Sequence, residues 1–321
     1  MTERWYRGDL HAHTARSSGG ELTPEQLVAE ARAAGLDFLA VTEHNLPFEA
    51  ASWRDTGGLL IVPGQEVVTR AGHWLVLGAA ADRVGPVGPE SFDRALREAR
   101  AAGGLCVAAH PHAPYAGGEL MFPLEAFDAV EVWNGPWGAA LPWSADNGAA
   151  LAEWSRRLGA AVRTGAGRWQ PAVGSSDAHL AGQLGTPQTV VRAAGPSPAE
   201  ILAAVRAGRS WIAESAAVEL EFTATAAGRT ALVGDRLATG GHPVDLAVRV
   251  FGVSGVSGVS GVADPLVRFH TVRGRAHAAP APAGGTVRWT TDARESAFVR
   301  VEVRRPDGRP AALTNPILLA D

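Results

Sequence analysis

The chain contains no lysine, so all 29 of its basic residues are arginine. The absence of lysine excludes Schiff-base chemistry, a lysine general base and the lysine-dependent phosphate-binding loop. The formal net charge of −4 at pH 7 gives no indication of the basic surface that binds long DNA or RNA. We therefore expect a small molecule, and no long nucleic acid, as the partner. The high usage of alanine, arginine and glycine is typical of a GC-rich bacterial genome.

Cysteine is nearly absent as well. The single residue, Cys106, excludes an internal disulfide and the cysteine-rich zinc modules. It lies in the apolar run GGLCVAAH, which favours buried packing over a nucleophilic role. The sequence has no apolar stretch long enough to span a bilayer and no signal-peptide pattern before Asp9. We expect a cytoplasmic protein without a membrane partner, unless a leader has been removed.

The order of the remaining segments predicts two regions. Up to about Ser210, short apolar runs alternate with helix-like segments, which is typical of a parallel α/β sheet or barrel. The strand candidates are LDFLAVTEHN, GLLIVPGQE, HWLVLGAA, GLCVAAHPH, FDAVEVWNG and QPAVGSSDAH; the helix candidates are TPEQLVAEARAAG, GPESFDRALREARAAGG, DNGAALAEWSRRLG and SPAEILAAVRAGR. In the first helix, Thr23 is the expected N-cap, Pro24 lies in the first turn and Gly35 ends the helix. We assign residues 1–213 to this region.

The pattern changes after residue 213. Five segments alternate apolar with polar residues and are bounded by glycine, proline or aspartate: AVELEFTAT, VDLAVRVFG, LVRFHTVRG, GTVRWTT and AFVRVEVRRPDGRP. Such alternation indicates antiparallel strands with one buried face, so we assign residues 214–321 to a small β-sandwich domain. The tandem repeat VSGVSGVSGV (Val253–Val262) is glycine-rich with a period of three residues, which predicts a flexible loop expansion.

Histidines are concentrated in the first region. Seven of the ten lie at or before residue 179: His11, His13, His44, His73, His110, His112 and His179. All of these except His73 lie at or just beyond the carboxyl end of a predicted strand. Because the carboxyl ends of parallel barrel strands meet at one rim, we expect these side chains to lie close together.

The His-x-His spacing has a geometrical meaning. In a strand, residues i and i+2 point to the same side, so His11 and His13 can hold one metal ion between two imidazoles. Other strand ends add further ligands: Asp177 with His179, His110 with His112, Glu66, and His44. Mixed nitrogen and carboxylate ligands suit zinc, manganese or iron. So many ligands predict a bridged cluster of two or three ions, with Asp9 orienting one of the ligand imidazoles.

The segments GDLHAHT, LTPEQLVAEARAAGLDFLAVTEHN, IVPGQEV, VAAHPH and VGSSDAH follow one another in this order. Together they resemble the motifs of the PHP (polymerase and histidinol phosphatase) superfamily. GLLIVPGQEVVTRAGHWLVLG, FDAVEVWNG and the trailing β-domain are most similar to its CehA/McbA-type metallohydrolase branch, named for a carbaryl hydrolase. The resemblance covers roughly residues 7–213. It implies a distorted (β/α)7 TIM-like barrel that holds two or three divalent metal ions.

The resemblance also implies a role for each ligand. His11, His13, Glu66 and Asp177 would hold the first ion, and Glu66 would bridge to a second ion that includes His110 among its ligands.

The resemblance favours two metal ions over three. His44 and His179 would serve a further site or complete a two-metal site. Related proteins carry another ligand where this chain has residues 17–19, which are serine, serine and glycine, so two ions are favoured over three. Additional candidates are His73, which fits a Gly-His pattern of the branch, His112, and Glu43, which replaces the usual aspartate of the Thr-Asp-His-Asn motif.

These features predict a metal-dependent phosphoesterase or phosphatase that cleaves a phosphate ester with a metal-bridged hydroxide. Asp177 or His179 would transfer protons, and Arg16 would contact the phosphate in the absence of lysine. The alternative is hydrolysis of a carbamate or carboxylic ester, as the name of the branch suggests. Two other classes remain open: a 3′,5′-bisphosphate nucleotidase or 5′-end exonuclease, and a non-catalytic metal-binding module.

The segment EVWNGPWGAALPW forms a loop broken by glycine and proline directly after a strand. Trp133, Asn134 and Trp137, with Trp143 nearby, would then line a pocket that favours a bulky or aryl ester or phosphoester. The three histidines of the C-terminal domain are assigned no chemistry. That domain could cover the barrel rim, mediate oligomers or bind a carbohydrate-like surface, and the oligomeric state stays open.

Overall fold

A computed structural model describes residues 3–78, 88, 90–138, 145–165, 168–253, 264–281 and 285–321. Trp143 and residues 254–262 of the tandem repeat lie outside the described residues. Within the described ranges, no helix is both long and apolar enough to cross a membrane.

The first region alternates strands with helices, as the sequence predicts. Its strands are β1 (Arg4–Asp9), β2 (Phe38–Val41), β3 (Leu60–Thr69), β4 (Gly72–Leu77), β5 (Leu105–Ala108), β6 (Ala129–Asn134), β7 (Ala172–Ser175), β8 (Gln188–Ala193) and β9 (Ser210–Ala213). Its helices are α1 (Pro24–Ala33), α2 (Phe92–Ala101), α3 (Asn147–Arg163) and α4 (Pro198–Arg206), with 3-10 turns at Ala50–Trp53 and Leu124–Ala126. The six strand candidates and four helix candidates are confirmed.

The start and end of α1 follow from local chemistry. The Thr23 hydroxyl accepts the backbone N–H of Gln26 at 3.3 Å, and the Gln26 side chain accepts the backbone N–H of Thr23 at 2.8 Å. This reciprocal pair satisfies two of the N–H groups that a helix start leaves unpaired. The chain leaves the helix at Gly35, whose φ of +70° is the left-handed conformation that glycine adopts without strain.

The strands of the first region lie in the order β9-β8-β1-β2-β3-β4-β5-β6-β7. Neighbours pair in parallel along β1-β2-β3 and β5-β6-β7. In contrast, β4 is antiparallel to β3 and β5, and β8 is antiparallel to β1 and β9. The α/β class is confirmed. The predicted parallel arrangement is wrong for β4, and β8 and β9 are further antiparallel strands that were not among the strand candidates. Only residues 70–71 join β3 to β4, which is too short for a parallel crossover. A seven-fold β/α barrel therefore stays a prediction.

The two ends of this strand series are connected by side chains and by the segments that follow the strands. The Thr189 hydroxyl of β8 donates to the carbonyl of Gly174 in β7 at 2.6 Å and accepts its N–H at 3.0 Å. Beyond the strands, Ala12 and Ala178 form a parallel bridge, and the N–H of His13 donates to the Ala178 carbonyl at 2.9 Å. The residues that follow β1 and β7 are thereby held side by side.

The second region consists mainly of antiparallel strands. They are β10 (Glu219–Ala226), β11 (Arg229–Leu232), β12 (Arg236–Ala238), β13 (Val244–Phe251), β14 (Leu266–Thr271), β15 (Gly274–Pro280), β16 (Thr286–Thr291), β17 (Phe298–Arg304), β18 (Pro310–Thr314) and β19 (Ile317–Ala320), with a short helix α5 (Ala293–Ser296). The five strands that the sequence predicts here are confirmed as β10, β13, β14, β16 and β17.

These strands form two sheets with a common core. One has the order β11-β10-β13-β16, and the other contains β12, β14, β15, β17, β18 and β19. Buried side chains of both sheets pack together, with the rings of Phe222 and Phe269 edge to face at 6.5 Å. Because β18 also pairs with β9, strands from both sides of residue 213 share one sheet. The domain boundary at this residue stays a prediction.

Asn315 connects strands of both regions through its buried amide. Its Oδ1 accepts the N–H of Ala172 at 2.8 Å, and its Nδ2 donates to the carbonyls of Ala172 and Ser210 at 3.0 Å each. We expect Asn315→Ala to lower the free energy of unfolding by about 2–4 kcal/mol, because it leaves buried backbone groups unpaired. Chemical denaturation measures this, with Thr225→Ala on an exposed strand face as control. A loss below about 0.5 kcal/mol, the size of an ordinary surface effect, would contradict the assignment.

Candidate metal centre

The structure brings all seven predicted metal ligands to one end of the sheet. Six of them follow four strand ends, and the seventh, Glu66, lies within β3: His11 and His13 follow β1, His44 follows β2, His110 follows β5, and Asp177 and His179 follow β7. Five of the seven, all but His11 and His13, line a cavity of about 510 Å³, whose lining in the described residues also includes His73, Tyr115 and Asn134. The convergence results from strand order, since β1, β2 and β3 are neighbours, β5 and β7 lie on either side of β6, and the bridge between Ala12 and Ala178 joins the segments after β1 and β7.

The ligand atoms form three groups in which all atoms lie within 4.8 Å of one another. The groups are His11, His13, Glu66 and Asp177; Glu66, His73 and His110; and His13, His44 and His179. Glu66 belongs to two groups and His13 to two, so neighbouring groups share a ligand. His73, an additional candidate from the sequence, joins the second group.

Glu66 is buried and lies among five imidazoles. Its Oε2 is 3.3 Å from His11 Nε2, 3.4 Å from His13 Nε2 and 3.0 Å from His44 Nε2; its Oε1 is 2.9 Å from His73 Nδ1 and 3.3 Å from His110 Nε2. A parallel bridge between His44 and Glu66 places the ends of β2 and β3 next to each other. Both carboxylate oxygens therefore face nitrogen ligands, which is the arrangement that a carboxylate shared between two cations requires.

The hydrogen bonds around His13 determine which of its nitrogens carries hydrogen. Ser17 donates its single hydroxyl hydrogen to the carboxylate of Glu43 and accepts the backbone N–H of His44 at 2.9 Å. The Ser17 oxygen must then also accept from His13 Nδ1, at 3.2 Å. The lone pair of His13 Nε2 is consequently directed at Asp177 Oδ1, 3.1 Å away.

His11 is oriented in the same way by Glu131. Its Nδ1 is 3.3 Å from Glu131 Oε1, and because a carboxylate only accepts, Nδ1 carries the hydrogen. Its Nε2 is buried, has no hydrogen-bond partner in the part of the chain that the structure describes, and lies 3.2 Å from Asp177 Oδ1. The Nε2 atoms of His11 and His13 thus face carboxylate oxygens, and the negative charge of these carboxylates requires a cation between them, either a proton on His11 or a metal ion. The residues present fit a divalent metal ion.

The pKa values of His11, His13, Glu66 and Asp177 agree with a cation between these side chains. Burial alone would lower the pKa of His11, but the charges of Asp177, Glu66 and Glu131 raise it well above its ordinary value. Burial lowers the pKa of His13 to about 3. Burial would raise the pKa values of Glu66 and Asp177, yet His11 and the other imidazoles hold both well below the ordinary range. The two carboxylates and the neutral His13 have the protonation states that bind a divalent ion, whereas His11 releases a proton when such an ion binds.

Two of the ligands have an unusual backbone. His110 has φ +26° and Asp177 has φ +52°, which is the left-handed region that side chains other than glycine rarely adopt. Such strain persists only where surrounding contacts impose it, and it is concentrated at functional sites. Here the contacts include the N–H of His110, which donates to Glu131 Oε2 at 2.7 Å, and the carboxylate of Asp177, which accepts from Asn134 Nδ2 at 3.2 Å.

The sequence analysis missed Glu131. This fully buried carboxylate of β6 accepts from the His11 ring, from the His110 N–H and from Asn134 Nδ2 at 3.0 Å. The signal was available, since a glutamate in the apolar run AVEVW must be paired if the strand is buried. The apolar run does not indicate which residues the Glu131 carboxylate contacts.

Asp9 holds backbone groups instead of an imidazole, so its predicted role is wrong. Its Oδ1 accepts the N–H groups of His11 at 3.3 Å and Ser176 at 3.0 Å, and its Oδ2 accepts the N–H of Gly185 at 3.0 Å. Burial raises the pKa of Asp9 to about 6. Asp9 therefore ties the segments after β1 and β7 together, while Glu131 orients the His11 ring.

Three further candidates lie apart from the ligand groups. His112 Nε2 is 2.8 Å from Glu153 Oε2 of α3, so its side chain is directed toward the helix. Glu43 accepts from Thr14 and Ser17 and supports His13 from behind. Arg16 is exposed, with its Nη1 3.4 Å from the Pro47 carbonyl and 3.6 Å from Glu49 Oε2, and it is not among the described residues that line the cavity.

The predicted tryptophan wall is also absent from the described lining. Trp133 is buried in the core, where its Nε1 donates to the Gly135 carbonyl at 3.0 Å, and the Trp137 ring packs edge-on against it at 5.3 Å. A register shift in β6 between Glu131 and Trp133 breaks the alternation that would direct both to the same side. Asn134 does line the cavity, and the aromatic residue there is Tyr115.

The variant Glu131→Gln tests whether the orientation of the His11 imidazole affects metal binding. The amide keeps the shape but loses the charge and can present an N–H to His11 Nδ1. We expect divalent metal affinity to fall by about 10- to 100-fold, which is typical when a carboxylate partner of a ligand histidine is removed. Calorimetric titration with Zn²⁺ or Mn²⁺ measures the change, and Glu98→Gln on the exposed face of α2 is the matched control. Equal affinity in both variants would show that Glu131 has only a packing role.

Comparison with known proteins agrees with these features. Residues 168–210 match the PHP-associated family. The chain is 37% identical over 142 residues to the error-prone DNA polymerases of Mycobacterium bovis and Mycobacterium tuberculosis, a match that covers 40% of this chain and 12% of each polymerase. The chain thus corresponds to about an eighth of the length of these curated relatives.

A crystal structure from Bacteroides vulgatus is similar over nearly the whole chain. It is a two-domain protein containing a predicted PHP-like metal-dependent phosphoesterase. The similarity covers 98% of this chain and 96% of that one, with a TM-score of 0.53 and 18% sequence identity. At this identity the similarity shows a common fold. The link to PHP proteins rests on the family match at residues 168–210.

Proposed function

We propose that this chain is a PHP-type metal-dependent hydrolase that cleaves phosphate esters of small molecules. The observation that carries the proposal is the convergence of three ligand groups, sharing Glu66 and His13, on one cavity. A non-catalytic metal-binding module needs one closed site, whereas several adjoining sites that face an open cavity are typical of hydrolases that act on esters.

The three groups support two ions at the same time. We propose that the four-residue group around His11 holds the first ion and the group of Glu66, His73 and His110 holds the second. The group of His13, His44 and His179 competes with the first group, because His13 has a lone pair on Nε2 only and one lone pair binds one ion. Zinc, manganese and iron suit these donors. When bound, such ions polarise a phosphoryl oxygen and lower the pKa of water.

The chain's own residues would orient the ligands and transfer protons. Asn134 Nδ2 donates to both Glu131 and Asp177, and so fixes the Asp177 carboxylate. His179 Nδ1 donates to the Asp177 carbonyl at 2.9 Å, which leaves the lone pair on His179 Nε2. Asp177 and His179 are only partly buried and line the cavity. We assign to one of them the proton transfer to or from the substrate oxygen.

The side chains that line the cavity limit the size of the substrate and the number of its phosphate groups. Its described lining contains carboxylates and histidines but no arginine, so no guanidinium is available to bind additional phosphate groups. A cavity of about 510 Å³ accepts one aryl or sugar-sized group beside the reacting ester. We therefore propose a small substrate with a single phosphate mono- or diester. The phosphate would be neutralised by the ions alone.

The absence of arginine from the described lining of this cavity also favours a second candidate function, hydrolysis of a carbamate or carboxylic ester. These substrates are neutral, so their binding needs no guanidinium. This is the chemistry for which the CehA/McbA-type branch is named. We propose that branch for the chain because His73, in the segment that resembles it, lies in a ligand group.

A substrate panel separates the candidates. The metal-loaded protein is assayed with an aryl phosphate monoester, a bis-aryl phosphate, an aryl carbamate, an aryl acetate and a 5′-phosphorylated oligonucleotide. We expect at least a tenfold higher kcat/KM for a phosphate ester than for the carbamate. The double variant His11→Ala/His13→Ala controls for contaminating hydrolases. Turnover of the carbamate or acetate without phosphate ester cleavage would establish the second candidate instead. Preference for the oligonucleotide would point to a DNA-directed activity such as that of the polymerase relatives.

A further inference from the structure

A second cavity, of about 220 Å³, lies between α3 and the C-terminal strands β14 and β17. Its polar lining in the described residues comprises Ser155, Arg156, Arg163, His270, Thr271 and Arg300. Three of these are guanidinium groups, and no aspartate or glutamate lines the cavity among the described residues. The cavity is thus basic, in contrast to the cavity of the metal centre.

The positive charge around this cavity is only partly balanced. Arg300 is 3% exposed, and its Nη1 donates to Glu302 Oε1 at 2.8 Å. Arg304 uses the other oxygen of the same carboxylate, with its Nε 2.9 Å from Glu302 Oε2. Two guanidinium groups therefore share one negative charge. Arg163 Nη1 donates to a neutral acceptor, the Val272 carbonyl, at 3.2 Å. Arg163 is exposed, and so is Arg156, whose Nη2 is 3.7 Å from Glu153 Oε1. The buried excess is thus the one positive charge of Arg300, Arg304 and Glu302, and an anion in the cavity would balance it.

The groups that would contact an anion are held in place. Arg300 Nη2 donates to Ser155 Oγ at 2.8 Å, and its guanidinium lies over the Trp154 ring at 5.3 Å. His270 Nε2 is buried and has no hydrogen-bond partner in the described residues, although it lies 3.3 Å from Glu302 Oε1. Donors that are already oriented lose little entropy on binding, which favours a specific site over diffuse attraction.

We propose that this cavity binds a small tetrahedral oxyanion, either free phosphate or sulfate or the phosphate group of a small metabolite. Arginine recognises such oxyanions through charge-assisted hydrogen bonds, and the cavity has room for one with bound water. The site is separate from the metal centre. Asn147 at the start of α3 bonds to Asn134 of the metal centre, and Ser155 lies about 12 Å farther along the helix.

The test is calorimetric titration of the full-length, metal-loaded protein with sodium sulfate, with Arg163→Gln as the main variant because this side chain is exposed at its end of α3. We expect Arg163→Gln to weaken sulfate binding at least about tenfold, the effect of losing one charge-assisted hydrogen bond. Arg94→Gln, an exposed arginine of α2, is the matched control and should bind sulfate like the parent protein.

A second variant distinguishes this cavity from the metal centre. Glu66→Gln removes a shared metal ligand and should leave sulfate binding intact. The proposal is overturned if the parent protein binds no sulfate, if Arg163→Gln binds it equally well, or if only Glu66→Gln loses it. Titration of the Glu66→Gln variant, which should not hydrolyse aryl phosphates, with inorganic phosphate and with phenyl phosphate then distinguishes a free ion from an esterified phosphate as the preferred ligand.

Discussion

Replacing Glu66 with glutamine lowers kcat/KM by about 10³-fold or more and reduces the number of divalent ions bound per chain. Both oxygens of this carboxylate face imidazole ligands, and the amide offers one weaker oxygen ligand and an N–H group that opposes a cation. Loss of a single charge-stabilising group at a reacting centre has effects of this size. Steady-state kinetics on the best ester of the panel and elemental analysis of the purified variant provide the two measurements.

The control for this prediction is Glu98→Gln, in which a 72% exposed side chain of α2 is changed in the same way. It should keep both the activity and the metal content of the parent protein. If Glu66→Gln retains the full metal content and activity within tenfold, the ligand groups are not the reacting centre, and the hydrolase proposal fails with them.

Glu302→Gln lowers the free energy of unfolding by about 3–5 kcal/mol, the usual effect of removing one partner of a buried ion pair. Glu302 is 4% exposed and pairs with Arg300, which is 3% exposed. The variant leaves the Arg300 charge buried without its carboxylate. Denaturant unfolding at pH 7 measures the loss. Glu221→Gln is the matched control, because its pair with Arg249 is exposed on both sides and contributes at most about 1 kcal/mol. Similar losses in both variants would contradict the prediction.

The same pair predicts a pH dependence of stability. Burial alone would raise the pKa of Glu302, but Arg300, His270 and Arg304 lower it to about 2 from the ordinary value of 4.5. A carboxyl whose pKa is lower in the folded state stabilises the fold above its unfolded pKa. This contribution is therefore complete above about pH 5 and is lost as the pH falls from 4.5 toward 2. Between pH 6 and pH 3, the parent protein should lose more stability than Glu302→Gln does. Parallel losses would show that other carboxyls dominate acid unfolding.

Much of the metal centre could be predicted because its signals are local. His11 and His13 lie just beyond β1, and the bridge between Ala12 and Ala178 keeps this segment extended, so the i, i+2 spacing still directs both rings to one side. Of the remaining predicted ligands, Glu66 lies within β3, and the others follow the ends of strands that sequence periodicity identifies.

Other parts of the site depend on contacts between distant segments. Glu131 meets His11 across 120 residues, and no pattern near either residue indicates the other. A bulge in β6 sends Trp133 into the core, and α3 supplies the carboxylate that draws His112 away from the ligand groups. These outcomes require the relative positions of strands and helices, which a single segment does not encode.

The helices with their caps and most of the strands can be predicted from the amino-acid sequence, because each depends on neighbours within a few positions. The positions of Glu66 among five imidazoles, of Asp9 on backbone N–H groups and of Glu131 against the His11 ring follow from the folded chain alone. Strand order and register, which result from packing of the whole chain, determine which side chains come within bonding distance.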